Sequence, residues 1–178
     1  MKISILRSLI LMAFISISSH SFAQQTLLAY EKGDQVIKVG FGLGATFSTG
    51  KIKTPPIQGI YEYGITEDIS IGGILGYASS SENYSSLGKI DYSYLIFGAR
   101  ANYHFETSEK FDPYGGATLG YYNVGFKDHG GYVGDYASSS LIYGVQIGAN
   151  YYFNNKIGAW AELGYGVGIL NLGITFKL

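Results

Sequence analysis

Apolar residues recur at every second position over most of the chain beyond residue 35. The cleanest run is residues 141–153, in which every odd-numbered residue is apolar or aromatic. A period of two puts successive side chains on opposite faces of a β-strand. The pattern predicts an all-β fold of eight strands, at residues 37–47, 57–65, 69–77, 92–105, 114–124, 141–153, 157–167 and 171–178.

The segments between the predicted strands alternate in length. Long polar loops are predicted at residues 48–56, 79–88 and 125–139, and short turns at 66–68, 106–112 and 154–155. Hairpin connections of an antiparallel sheet alternate between its two ends. The sequence therefore predicts one domain with loops at one end, turns at the other, and a polar lead-in before the first strand.

The beginning of the chain has the pattern of a secretory signal peptide. A basic start is followed by an apolar segment at residues 9–17, and Ser21 and Ala23 are small residues before the expected cut. We predict a signal peptide at 1–23 and a mature domain at 24–178. A retained anchor is the weaker alternative, because a membrane-spanning helix needs about 20 apolar residues.

Composition narrows the class of protein further. Glycine supplies 26 of the 178 residues and tyrosine 17, and cysteine is absent. Each interior glycine costs a helix about 1 kcal/mol relative to alanine, so this composition argues against helices. The absence of cysteine excludes a disulfide scaffold in an exported chain. The net charge of −1 gives no basic surface for nucleic acid.

The apolar faces could point outward to lipid or inward to a cavity. A small barrel has little interior room, which suits the glycine-rich faces better than the large apolar ones. With the short turns placed in the periplasm, the outward aromatic residues fall into two groups, as expected at membrane interfaces. The lower group is Tyr63, Tyr103, Tyr151, Phe153 and Phe176, and the upper group is Phe47, Tyr77, Tyr121, Tyr143 and Tyr165. A closed antiparallel eight-stranded transmembrane β-barrel is therefore favoured over a soluble lipocalin-like barrel that binds a ligand.

The alternation over the whole mature chain resembles the small eight-stranded outer-membrane barrels of the OmpX, OmpW and OmpA transmembrane-domain type. The closing GAWAELGYGV and LNLGITFKL particularly resemble the generic outer-membrane β-barrel family of Bacteroidetes-like bacteria. The resemblance implies export through the periplasm to the bacterial outer membrane, with chaperones and the barrel assembly machinery as partners. It also implies contact with outer-membrane lipid and lipopolysaccharide.

The end of the chain departs from the family pattern. Family members commonly end in an aromatic residue that the barrel assembly machinery recognises, whereas this chain ends in Leu178. We expect the assembly signal at the outward positions Leu172, Ile174, Phe176 and Leu178.

Five charged residues are predicted to face the barrel interior: Lys38, Glu62, Arg100, Glu162 and Lys177. Buried charges are costly unless opposite signs pair. We hypothesise that Glu62, Arg100 and Glu162, with either lysine, form an ion-pair network that fills the lumen. In the OmpA-type barrels that the chain resembles, such networks can also gate a narrow pore.

Catalytic and metal sites are not predicted. His104 and His129 belong to no compact His/Ser motif of the kind that activates a nucleophile, and Asp128, His129 and Asp135 suit a solvated loop. The sequence predicts no enzyme and no cofactor.

The predicted role is that of a structural or surface-interaction protein, with a narrow porin-like channel as the alternative. Tyr84, Tyr132 and Tyr136 lie in predicted polar loops suited to binding an extracellular protein or glycan.

Overall fold

A computed structural model describes residues 28–45, 51–84, 88–128, 136–165 and 167–178. The strands are β1 (Gln35–Ala45), β2 (Lys51–Gly64), β3 (Ile69–Tyr84), β4 (Gly88–His104), β5 (Phe111–Asp128), β6 (Tyr136–Tyr152), β7 (Ile157–Tyr165) and β8 (Gly168–Lys177). Each strand pairs with the next, and β1 pairs with β8, so the eight strands form a closed barrel. The predicted fold is confirmed. In the described part of the chain, no helix has the length and apolar character needed to cross a bilayer.

The first and last strands close the barrel in antiparallel register. The pairs run from Val36 opposite Lys177 to Ala45 opposite Gly168. Closure pairs the first and last strands with each other, which matters in lipid because exposed backbone donors and acceptors have no water to bind there. The predicted pairing of the last segment with the first strand is therefore present.

Side chains alternate between a buried inner face and an exposed outer face. The inner Lys38 is fully buried, whereas the adjacent outer residues Ile37 and Val39 are 38% and 49% exposed. On β6, Tyr143 and Val145 are 71% and 68% exposed. Apolar side chains on the outside and polar ones inside exclude the soluble barrel with an apolar ligand cavity.

The strands extend further at the loop end than predicted. Residues 79–84, 125–128 and 136–139, predicted as loops, belong to β3, β5 and β6. Residues 51–56 likewise belong to β2, where Pro55 and Pro56 lie beside register shifts in the β2–β3 pairing. A strand accepts proline at a bulge because a ladder hydrogen bond is already missing there.

The loop prediction is wrong for these residues because the polarity of the two faces of the strands inverts at this level. On the outer face, Tyr77 of β3 is followed by Ser79 and Ser81, so the apolar pattern stops. On the inner face, Ala78, Tyr94 and Val124 form a buried cluster against which Tyr92, Tyr122 and Phe126 pack. Below this level the outer face is apolar and contacts lipid, and above it the outer face is polar while this apolar cluster lines the interior.

The inversion marks the upper border of the lipid-facing surface. The outer face changes from apolar to polar between Tyr77 and Ser79 on β3 and between Leu95 and Ser93 on β4. From Phe105 to Leu95 the chain rises about 33 Å along a strand, or roughly 25 Å at a tilt near 40°, which matches the apolar band of an outer-membrane barrel.

At the opposite end, residues 28–34 cross the barrel opening before β1. Ala29 and Tyr30 are each 3% exposed. The Ala29 amide donates to the Ser108 carbonyl at 2.8 Å, and the Gly33 amide to the Gly64 carbonyl at 2.9 Å. Gly33 has a φ of 92°, a backbone conformation open to glycine, where the chain turns into β1. This closing segment was predicted only as a polar lead-in.

Candidate functional site

The centre of the barrel holds a four-residue ion-pair network. Lys38 Nζ lies 2.8 Å from Glu62 Oε2, and Arg100 Nε lies 3.0 Å from Glu62 Oε1. Arg100 Nη2 lies 2.6 Å from Glu162 Oε2. The four residues come from β1, β2, β4 and β7, and each is at most 5% exposed. Two positive and two negative groups balance, so each buried charge has an opposite partner.

Neutral side chains complete the hydrogen bonding of the two carboxylates. Asn102 Nδ2 donates to Glu62 Oε1 at 2.7 Å, and the Tyr114 hydroxyl donates to Glu162 Oε2 at 3.0 Å. Gln146 Nε2 donates to Asn102 Oδ1 at 2.9 Å. The network therefore ties together strands on all sides of the lumen and fills its cross-section.

A hydrophobic layer lies beside and above the charged one. Trp160, 2% exposed, forms a cluster with Ile60, Ile74, Ile96 and Val167. Its Nε1 donates to the Val39 carbonyl at 3.3 Å, so the indole lies across β8 and β1. The inner glycines make room for it, because a Cβ on Gly173 would come within 2.6 Å of Nε1.

The remaining predicted lumen charge lies apart from the network. Lys177 Nζ is 2.7 Å from Asp34 Oδ2 and donates to the Leu28 carbonyl at 3.2 Å. Lys177 therefore fixes the closing segment 28–34 to the end of β8. Of the two lysines considered for the network, the structure brings Lys38 to it.

A hydrogen-bonded relay of three buried side chains lies at the same end of the lumen. His104 Nε2 is 2.9 Å from Ser70 Oγ, and its Nδ1 is 2.7 Å from Asp112 Oδ1. Asn150 Nδ2 donates to the other oxygen of Asp112 at 2.8 Å. Sequence reasoning missed this group because the three relay residues and Asn150 lie on β3, β4, β5 and β6, and only the strand register brings them together.

The relay has the connectivity of a serine hydrolase triad but no open face. Ser70 and His104 are 1% and 2% exposed. The ring of Tyr30 stacks on His104 with centroids 3.5 Å apart and planes 2° from parallel. The Tyr30 hydroxyl donates to the Thr66 carbonyl at 2.9 Å. Burial, followed by the charge of Asp112, raises the pKa of Tyr30, which keeps its hydroxyl protonated as a donor.

The predicted aromatic groups occupy the outer surface, except for Phe47, which lies outside the described residues. Exposures between 40% and 71% are found for Tyr63, Tyr77, Tyr103, Tyr121, Tyr143, Tyr151, Phe153 and Tyr165. Phe176 is half-buried. Edge contacts join Tyr103 to Phe105 and Tyr151 to Phe153, with ring centroids 5.6 and 6.0 Å apart.

The predicted assembly signal occupies the outer face of β8 and the chain end. Ile174 and Leu178 are 50% and 70% exposed, and Leu172 and Phe176 are half-buried. Phe176 is paired on one side with Ile37 and on the other with Ile157. The signal residues thus share one face of the closing strand.

The upper outer surface carries the polar residues of the extended strands. Asp91 lies 2.7 Å from Lys53 Nζ and 3.9 Å from Lys89 Nζ. The hydrogen bond to Asp91 raises the pKa of Lys53. A recess of about 440 Å³ opens beside this group, with Ser79 and Ser93 among its lining residues.

Several candidate residues fall outside the described part of the chain. His129, Tyr132 and Asp135 lie outside the described residues, as do the side chains of Tyr84, Asp128 and Tyr136. Among the residues that are described, no group of three or more His, Cys, Asp or Glu side chains could hold a metal ion.

The chain matches the family model described as outer membrane protein beta-barrel domain over residues 9–175. No curated protein matches it. Its fold is similar to that of OprG from Pseudomonas aeruginosa, with a TM-score of 0.66 and 16% identity over 84% of this chain and 97% of that one.

Two further solved structures share the fold. The N-terminal β-barrel domain of Pseudomonas aeruginosa OprF gives a TM-score of 0.57 at 18% identity, over 83% of this chain and 98% of that one. The Yersinia pestis attachment invasion locus protein Ail, in complex with the heparin analogue sucrose octasulfate, gives 0.54 at 16% identity, over 82% and 95%.

Proposed function

The chain belongs to the outer membrane protein β-barrel domain family and lies in the bacterial outer membrane, and from this premise we propose that it is a closed structural barrel with a surface-interaction role. The barrel anchors and orients a rigid polar surface outside the cell. Its lumen conducts neither ions nor solutes, and it catalyses no reaction.

The observation that carries the proposal is the filled lumen. Arg100 bridges Glu62 and Glu162 at mid-barrel, and the Trp160 cluster closes the space next to them. The pocket between these layers has only about 20 Å³, close to the volume that one water molecule needs. A continuous aqueous path would require the ion pairs and the aromatic side chains to move apart.

The interaction role is supported by the extended strands. Hairpins β3–β4 and β5–β6 continue beyond the lipid-facing surface with paired backbones, as in Ser81 opposite Asp91 and Asn123 opposite Ser139. Rigid strands hold their side chains in fixed positions, so less entropy is lost when a partner binds. Ail, which shares the fold, was solved with a heparin analogue, and an anionic glycan is a matching class of partner.

Assembly requires further partners. The outward residues of β8 offer an apolar strand face to the barrel assembly machinery and to periplasmic chaperones, with Phe176 as its aromatic member. Outer-membrane lipid and lipopolysaccharide surround the finished barrel.

Burial of the relay supports a barrel without catalysis. A hydrolase serine must meet a carbonyl carbon at about 3 Å while donors hold the developing oxyanion. Ser70 is 1% exposed, and Tyr30 covers the imidazole that would activate it. The relay instead satisfies buried polar groups, and its hydrogen bonds hold β3, β4, β5 and β6 together.

Bilayer conductance tests the proposal. The mature chain is refolded in detergent, checked for the heat-dependent gel mobility of a folded barrel, and added to planar lipid bilayers. The expected result is insertion with no steps above the baseline, while a large porin under the same conditions gives stable steps. Reproducible unitary conductance from the folded protein would overturn the closed barrel.

The alternative is a narrow porin-like channel, favoured by the polar side chains of the upper lumen. Gln58 and Asn171 are buried, and Gln58 Nε2 and Asn171 Oδ1 have no hydrogen-bond partner among the described residues. Such groups could solvate a passing ion if Arg100 changed partners. Conductance that rises in an Arg100→Ala variant and is already measurable in the parent protein would favour the channel.

A further inference from the structure

A recess on the outer surface lies immediately above the lipid border, on β3, β4 and β5. Ser79, Ser93 and Gly125 are opposite one another on these strands and form its floor. The row below begins with Tyr77 and Leu95, which are 40% and 46% exposed and belong to the apolar surface. The floor is therefore about 7 Å along the strand from the last lipid-facing residues.

The wall above the recess is cationic. Lys51, Ser81, Asp91 and Lys127 form one row across four strands. The amines of Lys53 and Lys89 lie 2.7 and 3.9 Å from the carboxylate of Asp91 in this row. The four lysines are exposed, and Asp91 supplies the one negative group among these side chains, which leaves an excess of three positive charges.

We propose that this recess binds the phosphorylated sugar head group of an outer-leaflet glycolipid, lipopolysaccharide. The inference deepens the proposed surface-interaction role and rests on its membrane orientation. The phosphate lies between the amines of Lys53 and Lys127, the sugar lies over Ser79 and Ser93, and the acyl chains run down the apolar face below Tyr77.

The position of the recess relative to the bilayer favours a lipid head group over a soluble ligand. The polar interface of a bilayer is roughly 5–8 Å thick on each side, so lysine side chains reaching down from the row of Asp91 meet lipid phosphates. A lysine amine is a point charge suited to phosphate. The hydroxyls of Ser79 and Ser93 and the Asp91 carboxylate can exchange hydrogen bonds with sugar hydroxyls.

The size and chemistry of the recess also match a sugar ring. Its volume of about 440 Å³ lies within the usual range of small-molecule sites. The aromatic ring of Tyr77 forms its lower wall, next to where a sugar joins its acyl chains. The apolar surface alone would hold any lipid chain, so the lysines confer the preference for a phosphorylated head group.

Titration with lipopolysaccharide tests the inference. The full mature chain is refolded in zwitterionic detergent and titrated with fluorescent lipopolysaccharide. The double variant Lys53→Gln/Lys127→Gln is compared with Lys110→Gln/Lys156→Gln, which removes the same charge from exposed positions at the opposite end. Two lysines near an anionic surface predict roughly 30-fold weaker binding in the first variant and less than about twofold in the second.

Two further arms identify the source of the phosphate. Dephosphorylated lipopolysaccharide is expected to bind the parent protein as weakly as the intact lipid binds the Lys53→Gln/Lys127→Gln variant. Soluble glucosamine phosphate is expected to compete only at millimolar concentration. Equal losses in both double variants, no effect of dephosphorylation, or tight binding of a soluble sulfated glycan with none of the lipid would each overturn the proposal. The conductance measurement is unaffected by any of these outcomes.

Discussion

Arg100 of β4 and Glu162 of β7 form an ion pair across the lumen, with 2.6 Å between Nη2 and Oε2. Since Arg100 also contacts Glu62, it separates two carboxylates that would otherwise repel each other in a buried site. Its removal would leave more negative than positive charge at the centre of the barrel. The pair therefore stabilises the barrel because losing Arg100 would leave buried carboxylates without enough positive charge to pair with.

Arg100→Ala is expected to lower the free energy of unfolding by roughly 3–5 kcal/mol, because it leaves buried charge unpaired. Urea titration of the refolded barrel in lipid vesicles measures the loss. Lys156→Ala, in the exposed turn between β6 and β7, is the control and should change stability by less than about 0.5 kcal/mol. Unchanged stability and unchanged conductance in Arg100→Ala would show that the network hypothesis is wrong.

Gly173→Ala should destabilise the barrel, whereas Gly59→Ala should not. A Cβ at Gly173 collides with the Val39 carbonyl and with Trp160 Nε1, whereas a Cβ at Gly59 has no atom of the described residues within 4 Å. Overpacking predicts a loss of about 1–3 kcal/mol for Gly173→Ala. Gly59→Ala should be neutral or stabilise by up to about 1 kcal/mol, since it restricts the unfolded chain. The same urea titration compares them, and equal effects would contradict the tight packing at Gly173.

Trp160, the one tryptophan of the chain, reports which way the faces point. Its side chain is buried in the lumen, so brominated phospholipids should quench its emission only weakly. In Trp160→Phe/Ala159→Trp the indole moves to the adjacent outward position, and the same lipids should quench it strongly. Equal quenching of the two proteins would be incompatible with the inner position of Trp160.

Tyr30→Ala should release the segment 28–34 while β-strand pairing persists. The variant loses the stacking on His104 and a hydrogen bond, at a cost of roughly 3–5 kcal/mol of local stability. Amide hydrogen exchange should quicken at Ala29 and Gly33 and remain slow at Ala99 and Ala117. Leu28→Ala, which alters a more exposed side chain of the same segment, is the control. Fast exchange at Ala29 and Gly33 in the parent protein would mean that the segment does not close the barrel.

Ser70 should fail to react with a fluorophosphonate probe, because it is buried beneath the Tyr30 contact. His104→Gln should destabilise the barrel by about 1–3 kcal/mol through the loss of two hydrogen bonds in a buried site. Intact-protein mass spectrometry checks labelling. Labelling of the parent protein that disappears in both Ser70→Ala and His104→Gln would identify an active serine and contradict the structural role.

The sequence predicts the lipid-facing part of the fold well because its outer face is uniformly apolar. Every predicted strand is present, and Lys38, Glu62, Arg100 and Glu162 are buried in the interior. Beyond Tyr77 the outer face of the strands is no longer apolar. The inner face of β4 nevertheless carries the alternating residues Tyr92, Tyr94 and Ile96. The surroundings of the outer face change there from lipid to water. An alternation of apolar outer residues therefore predicts the strands only as far as the lipid extends.

The candidate sites were less predictable because they depend on register. Ser70, His104 and Asp112 have no mutual spacing that marks a relay, and strand pairing alone aligns them. The closing segment 28–34 is short and mostly polar, so the burial of Ala29 and Tyr30 leaves little periodic signal. Opposite charge alone allows either Lys38 or Lys177 to pair with the carboxylates of the network. The position of Lys177 at the end of its strand places it beside Asp34 instead.

The inversion of polarity between Tyr77 and Ser79 fixes how deeply the barrel sits in the bilayer. A shift of two residues downward would carry Ser79 and Ser93 into hydrocarbon, and an equal shift upward would lift Tyr77 out of it. A membrane of another thickness must therefore stretch or thin around the protein, since vertical sliding is penalised in both directions. The barrel therefore favours a membrane of one thickness, and lipids of matching acyl length should collect around it.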